Sequence, residues 1–73
     1  MISYVITVFN EEESVLHFYE ELSKHAKLLS KDLPAGRQGF EIIFVDDGSF
    51  DITLALLKNL EKKDKNVRVF SFR

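Results

Sequence analysis

The sequence predicts an α/β fold, an incomplete β-α-β-α-β half of a doubly wound parallel sheet. Three observations predict it. Short apolar runs rich in β-branched residues recur at 3–9, 40–45 and 67–72. Between them lie two longer stretches whose apolar residues fall at helical spacing. The first two runs each pass into the following helix through a polar loop. Such alternation implies parallel strands joined by right-handed crossovers.

The first run, Ser3 to Phe9, contains Val5, Ile6, Thr7 and Val8 and reads as a strand buried on both faces. Asn10 ends it as an N-cap, with Glu13 completing a capping-box-like pair and Glu11 to Glu13 suiting the positive helix end. Val15, Phe18, Tyr19, Leu22, Ala26 and Leu29 then define an amphipathic helix ending near residues 30–33. Pro34-Ala35-Gly36-Arg37-Gln38-Gly39 breaks both periodicities and is a connection. Phe40 to Val45 is the second buried strand, followed by the loop Asp46-Asp47-Gly48-Ser49-Phe50. Asp51 is placed to cap a second helix, whose apolar side carries Leu54, Leu57 and Leu60, widened by Ala55 and Leu56. Lys62, Lys63 and Lys65 suit its negative end, Asn66 closes it, and Val67 to Phe72 is the third strand.

A chain of 73 residues forms one small domain at most (1–73), or part of a larger one. Chains of this size bury only roughly 60% of their unfolded surface, so stability is marginal. With 30% charged and 45% hydrophobic residues, the composition is that of a globular protein. The net charge of -2 offers no basic stripe for a nucleic acid. No cysteine is present, which excludes disulfides and thiolate-held zinc. No apolar run reaches membrane-spanning length and the start lacks a signal peptide's positive region, so a cytoplasmic location is expected.

In open α/β sheets ligands gather beyond the carboxyl ends of the strands. Two loops belong to that edge, Phe9–Glu12 and Asp46–Asp51; Pro34–Gly39 belongs to the other. A carboxylate at Asp46 or Asp47 can accept hydrogen bonds from a base N–H or ribose hydroxyls, and Gly48 permits positive φ and a close approach. The plainer alternative is a tight Asp-Gly turn with Ser49 or Asp51 capping a helix. Residue chemistry alone favours the turn. As metal ligands the two aspartates are poor, since neighbours at a strand end point apart and magnesium needs about six oxygens. Phe9 could stack on a base and Thr7 add a hydroxyl; core and capping roles compete. His17 and His25, eight apart, do not make an i, i+4 metal pair. Phe18 and Tyr19 are assigned to the core, and Gly36 to Gly39 follows a helix rather than opening one, which argues against a phosphate cradle.

The run Val5-Ile6-Thr7-Val8-Phe9-Asn10-Glu11-Glu12 resembles the opening of family 2 glycosyltransferases, a strand running into an aromatic-Asn-Glu turn. Phe40 to Asp51 resembles that family's second strand and its Asp-Asp-Gly-Ser-x-Asp loop. The spacing of the two motifs fits, the likeness covers essentially the whole chain, and it leans towards polyprenyl- and dolichyl-phosphate sugar transferases acting at membranes. The resemblance implies a Rossmann-like GT-A sheet and the amino-terminal, donor-nucleotide-binding segment of an inverting transferase. Its donor would be a nucleotide-diphosphate sugar and its acceptor a lipid phosphate or saccharide. By position, Thr7, Phe9 and Glu11 would line the nucleotide pocket, and Asp47, with Asp46 beside it, would contact the base. Thr7 departs from the proline of many relatives, and the 34–39 connection is long for the family.

The same resemblance places the Asp-x-Asp ligands of a divalent cation (Mg or Mn), the catalytic base, the acceptor half and any membrane contact beyond Arg73. No catalytic residue or metal ligand is therefore expected in this chain, which should not transfer sugar alone. Two other readings stand beside it. One is a stand-alone nucleotide-binding or regulatory module; a receiver-like domain would want an acidic pair after the first strand, where Phe9-Asn10 stands. The other is a truncated gene product that folds poorly, because a missing fourth strand would leave an apolar edge and uncovered helix faces.

Overall fold

In the computed structural model, which describes residues 2–72, the order is β1 (Ile2–Val8), α1 (Val15–Lys31), a 3-10 turn (Ala35–Arg37), β2 (Phe40–Asp46), α2 (Thr53–Lys63) and β3 (Val67–Ser71). Met1 and Arg73 lie outside the described residues. The strands form one parallel sheet in the order β1-β2-β3. This is the predicted β-α-β-α-β half-sheet.

Each crossover steps one strand in the same direction, so right-handedness puts both helices on one face of the sheet. The rows Tyr4–Ile42–Val67 and Ile6–Phe44–Val69 meet them. Ile42, Phe44 and Leu57 are fully enclosed, joined by Val8, Val15, Ala26, Phe40 and Val67. Each large side chain so buried contributes roughly 1.5–3 kcal/mol. The opposite rows, Val5–Ile43–Arg68 and Thr7–Val45–Phe70, have no helix over them among the described residues. The expectation that the first two strands are buried on both faces is therefore corrected: Val5 is 66% exposed, Thr7 is exposed, and Ile43 and Val45 are half-buried. One end of this open face is polar, with the Ser3 hydroxyl donating to Glu41 Oε1 at 2.8 Å and Arg68 3.8 Å from the same carboxylate.

Local differences have local causes. In α1 the inward stripe runs Val15, Tyr19, Leu22, Ser23 and Ala26, while Phe18 and Leu29, expected inward, are 44% and 42% exposed. Phe18 is thus not core. In α2, Thr53 is buried where the apolar pattern began at Leu54. The helix ends at Lys63 rather than Asn66, and Asn66 instead donates its amide to Asp64 Oδ1 in the turn into β3. At the end remote from the strand C-termini, Gly39 takes φ 114° and passes its carbonyl to the Ile2 amide at 3.2 Å. Its own amide donates to Ser30 Oγ at 2.6 Å. The 34–39 connection is therefore built into the sheet, away from the ligand edge.

Candidate functional site

At the carboxyl ends of β1 and β2 the two polar loops are joined to each other. Asn10 is not a helix N-cap. The helix opens at Val15 with Ser14 before it, no acidic residue lies in its first turn, and no side chain caps it. Asn10 instead sits at φ 49°, a left-handed conformation that asparagine tolerates better than most residues. This turns its amide to Ser49 Oγ at 2.9 Å and lets its Oδ1 accept the Phe50 amide at 2.7 Å. The next amides follow the same course: Glu11 donates to Thr53 Oγ1 at 2.8 Å and Glu12 to Asp51 Oδ2 at 3.3 Å. Consecutive N–H groups that a helix would have left unsatisfied are thus taken up by the second loop.

The adjacent aspartates part company. Asp46 is wholly buried; one carboxylate oxygen accepts the Ser49 hydroxyl and the other the Ser49 amide at 3.2 Å. That closed turn satisfies a buried carboxylate that would otherwise be costly. Gly48, at φ 79°, supplies the left-handed residue the turn requires. Asp47 is exposed, and its amide donates to the Val8 carbonyl at 3.0 Å, setting it beside the start of the first loop. Asp51 Oδ1 accepts both the amide (2.9 Å) and the hydroxyl of Thr53, a local turn just ahead of α2. The expected Asp51 cap is corrected, since the N-cap position is Ile52 and no side chain caps the helix. Desolvation, the largest single influence, raises the Asp51 pKa, but the hydrogen bonds from Thr53, Glu12 and its own backbone together outweigh it and hold the carboxyl below its ordinary value.

The residues singled out by sequence fall as follows. Phe9 and Glu11 are exposed on the first loop, and Thr7 is exposed on the open face of the sheet. Asp47 stands at the edge, whereas the Asp46 carboxylate faces the protein. A cavity of 430 Å³ lies at this edge, lined by Asn10, Glu11, Glu12, Glu13, Ser14 and Asp51. It includes Glu11 but not Thr7, Phe9 or Asp47. Sequence reasoning passed over Phe50, whose ring meets Phe9 edge-to-face with centroids 6.1 Å apart. Its place in the Asp-Asp-Gly-Ser-x-Asp loop was the available signal. Among the described residues no group of three His, Cys, Asp or Glu side chains is placed to hold a metal ion, so the residues present do not fit the implied cation. No helix among them is long and apolar enough to cross a membrane.

The chain resembles known proteins along nearly its whole length. It is 37% identical over 71 residues to a prophage bactoprenol glucosyl transferase homolog of Escherichia coli (strain K12), covering 97% of this chain and 21% of that one. It is 35% identical over 71 residues to the bactoprenol glucosyl transferase of Shigella phage SfX, with the same coverage. It thus spans about a fifth of the length of these relatives. Among solved structures, S. aureus TarS 1-349 in complex with UDP superposes with a TM-score of 0.66 at 25% identity, over 99% of this chain and 19% of that one. The family model for glycosyl transferase family 2 matches residues 3–73. This chain belongs to glycosyl transferase family 2.

Proposed function

We propose that the chain is the donor-nucleotide segment of an inverting glycosyltransferase that moves a sugar from a nucleotide-diphosphate sugar to a lipid-phosphate or saccharide acceptor. The observation that carries this reading is the stitched pair of loops at the strand C-termini, which presents Phe9, Glu11 and Asp47 from one fixed edge. Asp47 accepts a hydrogen bond from a base N–H, a charge-assisted contact stronger than a neutral one. Phe9 offers an aromatic face, Thr7 and Glu11 line the approach, and Asp46 holds the turn from inside. The UDP complex of S. aureus TarS, on the same fold, supports a nucleotide ligand. The bactoprenol glucosyl transferases support a lipid acceptor, and for the whole enzyme our reading adds the cytoplasmic face of a membrane.

Amide NMR tests the pocket. Adding UDP or GDP shifts Phe9–Glu12 and Asp46–Ser49; shifts confined elsewhere, or none from a folded sample, reject it. On this reading the chain alone transfers no sugar: a cation clamp and a base to deprotonate the acceptor are both needed, and we place them outside the fifth of the relatives' length that this chain spans. Release or transfer of sugar by the pure chain would overturn that part.

A further inference from the structure

We infer that Phe50 is a further base-binding residue of this edge, pairing with Phe9 to take the flat ring of a nucleobase; the inference rests on the nucleotide reading above. Phe50 is 82% exposed and Phe9 47%, and their planes meet at 81°. Two rings in that relation form a corner. A planar base stacks on one ring and sets its edge against the other.

The backbone beneath the corner is held in place. The Phe50 amide is bound by Asn10 Oδ1, the Asn10 amide by Ser49 Oγ, and the Ser49 hydroxyl by buried Asp46. A largely exposed aromatic ring at a ligand edge gains burial energy when a base covers it. Asp47, three residues before Phe50, supplies the carboxylate that a stacked base can reach with a ring N–H.

A lipid surface is the competing partner for exposed Phe9, Phe50 and Ile52. The charge pattern argues against it. Residues 9–14 carry Glu11, Glu12 and Glu13, residues 46–53 carry Asp46, Asp47 and Asp51, and neither stretch has a Lys or Arg. Anionic membranes attract basic segments and repel this edge. A neutral base suffers no such repulsion, and the anionic diphosphate it carries would have to lie away from these carboxylates.

The chain contains no tryptophan, so Phe50→Trp gives a fluorophore that reports on this position alone. In buffer without divalent cations, uridine and guanosine should quench its emission, and pyrophosphate should not. Phe50→Ala should weaken UDP binding about tenfold, within the range of one base–aromatic stack. Phe50→Tyr should restore it and Phe50→Leu should not, with unchanged thermal transitions for all three. Wild-type affinity in Phe50→Ala, with the Asp47 amide still shifting, overturns the role of Phe50 and leaves the pocket standing. No nucleotide-induced shift in folded wild type removes the pocket and this inference with it. An indole emission that moves blue with phosphatidylglycerol vesicles and ignores nucleosides assigns the rings to a membrane and also overturns it.

Discussion

Asp46 and Asp47 show how far neighbouring residues of one type can diverge. Asp46 faces the helix layer and closes a turn through Ser49, while Asp47 faces water one peptide further on. Substitutions at the two sites should separate folding from binding. Asp46→Ala leaves the Ser49 hydroxyl and amide without their acceptor and opens a small void, so it should cost about 1–3 kcal/mol of stability. Asp47→Ala removes an exposed carboxylate and should alter stability by no more than about 0.5 kcal/mol while abolishing UDP-induced amide shifts. Denaturation midpoints and NMR titration of the two variants check this pair of outcomes. Equal destabilisation by both would mean that Asp47 also serves the fold. The two roles were only half legible in the sequence. Alternation along β2 implies opposite sides for adjacent aspartates, but which side is inside depends on where both crossover helices pack.

At the scale of elements, strand and helix identities followed from periodicity, and the helix starts did not. Asn10 had a cap's residue type and Glu13 a capping box's spacing, yet α1 begins later because the second loop offers the amides of Asn10, Glu11 and Glu12 better acceptors. That competition is long-range in sequence, beyond any local pattern. A second such tie joins α1 to the turn between α2 and β3: the Tyr19 hydroxyl donates to Asp64 Oδ2. Burial first, and then the hydrogen bond and negative charge of Asp64, push the Tyr19 pKa from 10.0 up to about 12. Since the folded value lies above the unfolded one, the tie is fully present below pH 10 and is lost as pH rises through about 12. Tyrosinate absorbance from Tyr19, isolated by comparison with Tyr19→Phe, should emerge only near that upper value. Asp64→Asn should bring it down part of the way, because burial remains. A Tyr19 midpoint at 10 in the folded wild type would show that the contact is not maintained in solution.

The described residues form a two-layer structure, helices on one face of a sheet whose other face is open among them. The apolar runs of β1 and β2 read as strands buried on both sides, and they carry the residues for it: Val5, Ile43 and Val45 line the open face, joined by Phe70 of β3. What no run of residues discloses is that two successive crossovers in one direction leave that face without a layer of its own. Water against contiguous apolar side chains is unfavourable in proportion to their area, and patches of this kind drive association. The isolated chain should therefore self-associate with rising concentration, in preference to behaving as a monomer. Replacing Val5 and Phe70 by lysine keeps both strands' backbone pairing and leaves the enclosed core of Ile42, Phe44 and Leu57 untouched. The double variant should shift sedimentation or light-scattering mass towards the monomer while retaining its far-UV spectrum. Leu57→Ala, on the covered face, should do the reverse: about 2–5 kcal/mol of lost stability with no gain in monomer. If the lysine variant associates as strongly as wild type, the unpaired backbone of edge strand β1, rather than the open face, is the surface through which copies meet.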